Sequence, residues 1–491
     1  MMACVAGLAG SCFAQGSLTP PGAPATTMKT LEQIEPRIDV MTLAGDASTE
    51  IIISSPGSYY LTDNLAVTKT FGIMINASGV TLDLNGFVIS GTGGGHLFGI
   101  DIKEGVGGVT VRNGTVIGYF SRGINCRTPY GHGYLFEKLD VSDCGTGMLA
   151  GESARILDCR VHDSDGGDGI WAAAGASISG CTVRNNGGHG IFTEDGSRIS
   201  DCAVQTNGLK GIKVLNNCVI SGCAVQDNQD GGIQAGSNTS ISDCTANNNQ
   251  GTGIISGNNS SIRGCTVMDS QGSGITAGHS SSIRGCSARN NTGSAGIKVG
   301  NGGVVTDCTA EGNIGSYGIQ GGGSCSIKNC SAYVNKGTGS ISYGIFASNG
   351  STILECATYL NSTTGSTFTS DRGIGIGVAS SAIVKNCSSY ANYGDGIKVS
   401  GDCLVEGNTC DGNGLGSSDG AGIHSTSTDN RIDGNTVTDN DRGIDVDSSG
   451  SLIVRNSASG NGTQYSIAAG NDTGAIKTTP VGADAWDNFS F

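Results

Sequence analysis

Between Cys159 and Cys330 the pattern of apolar and polar positions repeats every 21 or 22 residues. A cysteine column runs through Cys159, Cys181, Cys202, Cys223, Cys244, Cys265, Cys286, Cys308, Cys330, Cys356 and Cys387, and Asn408, Asn435 and Asn456 continue it. Five residues after these fourteen positions stand twelve asparagines, from Asn186 and Asn207 to Asn440 and Asn461, and two serines, Ser164 and Ser270. Eleven residues before the column sits a Gly-Ile pair, from Ile170 and Ile191 through to Ile397. A period this short is the mark of one supersecondary unit stacked many times.

The unit shows no helical period of 3.6, only short alternating runs separated by Gly, Asn, Asp and Ser, which predicts three short strands per turn. In the turn around Cys202, Ile191 and Thr193 face inward with Phe192 outward, then Ile199, then Cys202 and Val204 face inward. Ile199 and Cys202 are an odd interval apart, so alternation must break between them. Asp201, and Gly180 and Gly222 in neighbouring turns, suit a left-handed residue there. The asparagine column ends the third strand, where stacked amides can satisfy one another.

This pattern resembles the right-handed parallel β-helix repeat proteins of the pectate-lyase-like superfamily, in the short-coil form of many exported bacterial proteins. The resemblance covers roughly residues 50–470 and implies an all-β fold, a single-stranded right-handed parallel β-helix or solenoid. Val80-Thr-Leu-Asp-Leu-Asn-Gly86 and Pro56-Gly-Ser-Tyr-Tyr-Leu61 look like its opening coils. Counting the inward position from Ile75 to Ile467 gives about 18 coils, so at a strand spacing of about 4.8 Å the solenoid is expected to be about 80 to 90 Å long. Residues 1–14 read as a leader, 15–49 as an N-terminal linker and 471–491 as a tail or cap.

Composition narrows the picture. Glycine is abundant, at 84 of 491 residues, but has no three-residue period and only 7 prolines beside it, which excludes collagen. The net charge of −15, from 27 Lys+Arg against 42 Asp+Glu, argues against nucleic acid and anionic membrane surfaces as partners. No apolar run reaches the length of a membrane span. The small apolar stretch Ala3–Ala14 reads as the end of a secretory signal, so the expected location is secreted, periplasmic or at the cell surface.

Nineteen cysteines in an exported chain would ordinarily suggest disulfides. Their register argues otherwise, because stacked Cβ atoms lie about 4.8 Å apart and a disulfide needs about 3.8 Å. They are expected to be buried thiols, with Cys218, Cys325 and Cys403 at a second inward position.

Coil length varies at one place, between the asparagine and the next Gly-Ile, through insertions at Lys336–Tyr343, Ser362–Ile374 and Gly414–Ala421. Such insertions wall the face of the first strands, the face on which lyases and polygalacturonases of this fold carry substrate. There Asp168, His189 and Lys210 fall two residues before the inward isoleucines of successive coils, and Trp171, Phe192 and Lys213 one residue after. An acid, an imidazole and an amine in a row can share proton-transfer work, and the aromatic rings can pack on sugars. Asp163, Asp165 and Asp168 share a loop whose oxygens could hold Ca²⁺ as a cofactor. An ordinary solvated face with turn aspartates is the alternative. A second group has Lys398, His424 and Asp445 in the outward column with Asp395 and Arg442 beside it, and Tyr333, Tyr359 and Tyr390 stack on another strand.

The polygalacturonase motifs are not met. Gly188-His-Gly190 matches in isolation, Gly211-Ile-Lys213 only echoes the basic motif, and the paired aspartates are missing. Three functions remain open: an exported protein that binds a polysaccharide or other surface polymer through Trp171, Phe192, Lys213, Lys398 and His424; a polysaccharide lyase, or less readily a glycoside hydrolase, using Asp168, His189 and Lys210 on uronate-containing glycans; and a structural or adhesive rod.

Overall fold

The computed structural model describes residues 37–91, 95–119, 121–126, 132–339, 341–363, 373–416 and 420–491. The leader read at 1–14, and most of the linker read at 15–49, lie outside the described residues. Among the described residues there is one 3-10 turn, Val40–Thr42, and otherwise strands. Among the described residues no helix is long and apolar enough to cross a membrane.

Each coil contributes three short strands, and each strand pairs in parallel with its counterpart one coil away. In the coil that holds Cys202 these are Ile191–Thr193, Arg198–Ser200 and Ala203–Gln205. Ile191 and Thr193 are buried and Phe192 half-buried, and the second and third strands each bury a central residue, Ile199 and Val204. Cys202 is buried at the corner between them, after Asp201 at φ 54°. Gly180 and Gly222 occupy the same corner at φ 66° and 63°. Alternation breaks there, as the odd interval requires.

The first strands form a sheet of 19 members, from Thr49–Ile53 to Thr463–Ile467. The additional coil relative to the sequence count is Thr49–Ile53, which precedes the Ile75 from which that count starts. The second and third strands merge into one bent sheet of 38. Near the start the merger is complete, since Thr110–Ile117 and Leu135–Ser142 run through the corner unbroken. Pairing begins earlier than the residue-50 boundary: Arg37–Asp39 lies beside Ser58–Tyr60, so this part of the supposed linker is already solenoid. The tail closes the other end, with Asn488–Ser490 paired to the strand that begins at Ser457.

The core is a stack of columns made by the inward-facing residues of each strand. Ile170, Ile191, Ile212 and their successors are fully buried, as are Ile178, Ile199 and Ile220 on the second strand. All 17 described cysteines are buried and free. Their thiols donate to nearby carbonyls instead, Cys202 to Ser200 O at 3.2 Å and Cys244 to Ser242 O at 3.1 Å. Burial holds the Cys126 thiol up at about 12 and that of Cys144 at about 11, so neither is a nucleophile at neutral pH.

The asparagine column is a hydrogen-bond ladder at the third corner. Asn186, Asn207 and Asn228 each donate both a backbone N–H and the side-chain amide to the Oδ1 of the next asparagine, at 2.9 to 3.1 Å. The ladder explains the glycine of the Gly-Ile pair. A Cβ on Gly190 would lie 2.4 Å from Val204 Cγ1 and 2.7 Å from Asn207 Nδ2, so the corner closes only without a side chain.

Candidate functional site

The outer face of the first sheet carries the candidate residues because its strands expose their central position. Trp171, Phe192 and Lys213 occupy it on three consecutive strands in direct register. Two residues before the inward isoleucines, Asp168, His189 and Lys210 form the adjoining column, as the sequence requires.

Trp171 and Phe192 are half-buried, with ring centroids 5.9 Å apart, and the His189 ring lies 6.1 Å from Phe192. The Lys213 ammonium sits over the Phe192 face, 5.3 Å from its centroid. Against Trp171 opens a cleft of about 300 Å³ lined by Arg122, Thr146, Leu149 and Asp168. Arg122, Thr146 and Leu149 were not singled out by sequence, although the strand register places Leu149 beside Trp171 and so makes the cleft a continuation of the aromatic column.

The polar row is arranged differently from the proposed acid, imidazole and amine relay. Asp168 Oδ1 accepts the backbone N–H of His189 at 2.7 Å, and His189 Nδ1 accepts the backbone N–H of Lys210 at 3.2 Å. Backbone donors therefore occupy both groups. The Lys210 ammonium turns away to form an ion pair with Asp230, beside a smaller hollow of about 150 Å³. Burial raises the Asp168 carboxyl above its ordinary range and lowers His189 below its own, so His189 is neutral near pH 7. With Nδ1 accepting, the neutral ring carries its proton on Nε2, which makes it a donor rather than a base.

The three loop aspartates are not brought together as cation ligands. Asp163 is engaged by His162 and by the Asn185 amide, Asp165 is exposed, and Asp168 faces His189. Among the described residues the one His/Asp/Glu/Cys group compact enough to share a cation is His424, Asp445 and Asp447.

That group sits near the C-terminal end of the same face. His424, which the sequence reading assigned to polymer binding, is buried. Its Nδ1 lies 2.9 Å from Asp395 Oδ2, and its Nε2 lies 3.0 Å from Asp447 Oδ2 and 3.8 Å from Asp445 Oδ2. Burial works against the charged ring, but Asp395 and Asp447 outweigh it and hold the imidazolium up at about 9. Lys398, in register with His424, opposes that charge, and Arg442 pairs with Asp445 at 2.5 Å. Asp447 was not anticipated, although the alternation Asp445-Val446-Asp447 marks both acids as outward.

Between the two groups lies a second aromatic patch that sequence reading also missed. Tyr317 and Tyr343 stack 5.8 Å apart and 7° from parallel, and Phe346 packs 4.9 Å from Tyr343. It stands beside the inserted segments, whose Lys336–Gly337 and Ser362–Thr363 pair as an additional small sheet. Tyr359 and Tyr390, on the third strands, stack 4.4 Å apart, away from this face.

A family profile described as the right handed beta helix region matches residues 61–198, 168–314, 235–370 and 317–479. No curated protein matches the sequence. Similar solved structures include the Dettilon tailspike protein, at 14% identity over 65% of this chain and 62% of that chain with a TM-score of 0.34. Another is the A-module of the Azotobacter vinelandii mannuronan C-5 epimerase AlgE4, at 15% identity over 81% and 91% with a TM-score of 0.25. A third is the pectate lyase Pel9A, at 14% identity over 64% and 69% with a TM-score of 0.24. The chain thus spans less than two thirds of the tailspike's length.

Proposed function

The chain belongs to the right-handed β-helix family, and on that scaffold we propose that it is an exported protein that binds an extended polysaccharide along the outer face of its first sheet. The observation that carries the reading is the half-exposed Trp171 ring, set against Phe192 and opening onto the cleft shared with Arg122, Thr146 and Asp168. A tryptophan on a solvated strand costs apolar exposure, and a sugar ring packed on it removes that exposure while the flanking polar groups meet its hydroxyls. The Tyr317, Tyr343 and Phe346 patch lies seven strands further along, about 34 Å at a spacing of about 4.8 Å, which favours a polymer over a short oligosaccharide.

Affinity electrophoresis against a panel of neutral and uronate-containing polysaccharides tests the reading. The wild-type chain is retarded by at least one polymer, and Trp171→Ala combined with Phe192→Ala abolishes that retardation. Equal retardation of the double variant would overturn it.

A second reading, cleavage of the bound polymer, draws on the partly buried Asp168 and His189 at the edge of the platform. Mass spectrometry of products decides it. Unsaturated fragments establish a lyase, fragments that have gained water a hydrolase, and intact polymer leaves binding.

A further inference from the structure

We propose that His424, Asp445 and Asp447 form a binding site for one divalent transition-metal ion of the Zn²⁺ type, at the C-terminal end of the first-sheet face. This goes beyond the polysaccharide reading and does not depend on it. The ligand atoms lie within 4.8 Å of one another. Ligands held tetrahedrally about 2.0 to 2.2 Å from zinc stand about 3.3 to 3.5 Å apart. The observed separations from His424 Nε2, 3.0 Å to Asp447 and 3.8 Å to Asp445, bracket that value.

The arrangement behind the imidazole supports the same conclusion. Asp395 has no exposed surface and meets Nδ1 at 2.9 Å, while its other oxygen accepts the Ala421 backbone N–H at 2.8 Å, which prevents it from turning away. A carboxylate fixed on the far nitrogen keeps the Nδ1 proton in place, so that an ion displacing the Nε2 proton now held toward Asp447 meets the Nε2 lone pair, with the outer partner that histidine ligands require. His424 and Asp445 are register partners at the fourth positions of the paired strands Ala421–Ser425 and Arg442–Val446, so their spacing is set by sheet hydrogen bonds rather than by a loop. Asp445 is 2% exposed, and its Oδ2 lies against the Arg442 guanidinium yet is left without a hydrogen bond. In the metal-bound state Asp445 is shared between Arg442 and the ion.

One nitrogen and two carboxylates select among cations. Ca²⁺ and Mg²⁺ take oxygen ligands, whereas imidazole with carboxylate suits Zn²⁺, Co²⁺ or Mn²⁺. Three protein ligands leave a fourth position open, and the exposed Asp447 places it toward solvent on the proposed polymer-binding face.

The test is equilibrium dialysis and calorimetry of the chelator-treated full chain with ZnCl₂, followed by the visible spectrum with CoCl₂. The expected result is one ion per chain, with cobalt bands of four-coordinate intensity and no comparable binding of CaCl₂. Asp447→Asn weakens zinc binding at least about tenfold, and Asp395→Asn, which only reorients His424, weakens it by about 10- to 100-fold at unchanged stoichiometry. Asp447 is exposed, so its variant keeps the site testable should His424→Ala fail to fold. Absence of stoichiometric zinc at micromolar concentration, or zinc binding unchanged in Asp447→Asn, would overturn the proposal.

Discussion

Asn207 donates its side-chain amide to Asn228 Oδ1 one coil away at 2.9 Å, and its backbone N–H reaches the same oxygen at 3.0 Å. One buried oxygen thus satisfies two donors of its neighbour, while Asn228 passes both of its own donors to Asn249. The ladder works as a continuous chain because each coil repeats the same residue in the same place.

Replacing Asn228 with alanine should therefore strand two buried donors on Asn207. At about 1 to 3 kcal/mol for each unsatisfied group, the loss is about 2 to 6 kcal/mol. Urea denaturation followed by circular dichroism should show a lowered midpoint, and in a stack of nearest-neighbour units the transition should also separate into stages. Gln226→Ala, on the exposed side of the same strand, should change the midpoint little.

Gly190→Ala should be destabilising by about 1 to 3 kcal/mol, because its Cβ meets Val204 and Asn207 at clashing distance. Gly166→Ala meets nothing within 4 Å and should leave the melting temperature nearly unchanged. Thermal melts of the two variants separate crowding at the corner from a general cost of losing glycine. Equal melting temperatures would refute the corner account.

The three-strand coil, its inward columns and the asparagine corner were legible in the sequence because each repeats many times and any departure stands out. A second left-handed corner was not. It falls just before the asparagines, where Asn185, Asp227, Asn248 and Gly312 are residue types that such a corner favours, but Thr206, Val334 and Leu360 interrupt that pattern and hold φ of 55°, 56° and 50° because stacked backbone bonds impose the conformation. The candidate site was half legible. Register alone placed Trp171 beside Phe192, since neighbours in a parallel ladder share a column. Where long side chains turn was not legible: Lys210 reaches forward to Asp230 instead of back to His189, and the Asp168 carboxylate meets an amide rather than an imidazole nitrogen. Those choices follow from local charge and backbone donors, which a repeat pattern does not encode.

His189 should titrate below the ordinary histidine value near 6.5 in ¹H–¹⁵N spectra of the folded chain, because burial disfavours its charged ring. Asp168 opposes that shift, so Asp168→Asn should lower the value further. The linkage has a definite sign. The unfolded chain takes up this proton near pH 6.5 and the folded chain only at lower pH, so His189 removes stability as pH falls through that interval. Asp168→Asn should widen the interval, and a rise in the His189 value would contradict the assignment.

Trp171 and Trp486 are the chain's two tryptophans, and Trp486 lies at the far end beneath Arg455, with 5.4 Å between the guanidinium and the ring. In a Trp486→Phe background the emission reports Trp171 alone. Titration with a polysaccharide that binds should shift or quench it, and Phe192→Ala should weaken the apparent affinity by up to about tenfold, the scale of one aromatic contact. An emission that stays constant while the polymer binds elsewhere would move the binding surface away from this platform.

The C-terminal segment should be required to keep the stack from growing. Asn488 receives both donors of Asn456, at 2.9 and 3.1 Å, and so ends the ladder, while Phe489 lies in register with Ser457 and accepts the Tyr465 hydroxyl at 2.9 Å. Without it the last coil presents unpaired N–H and C=O groups over buried Ile453 and Ala458, a template for another parallel strand. Removal of residues 472–491 should therefore produce end-to-end association, seen as a concentration-dependent increase in sedimentation coefficient. Asn488→Ala, which leaves the strand in place but strands the Asn456 backbone N–H while its amide keeps the Ile432 and Val454 carbonyls, should lower stability by about 1 to 3 kcal/mol without association. The pair of variants separates the two roles of the segment: association in both would mean that the ladder itself, rather than the covering strand, keeps the end closed.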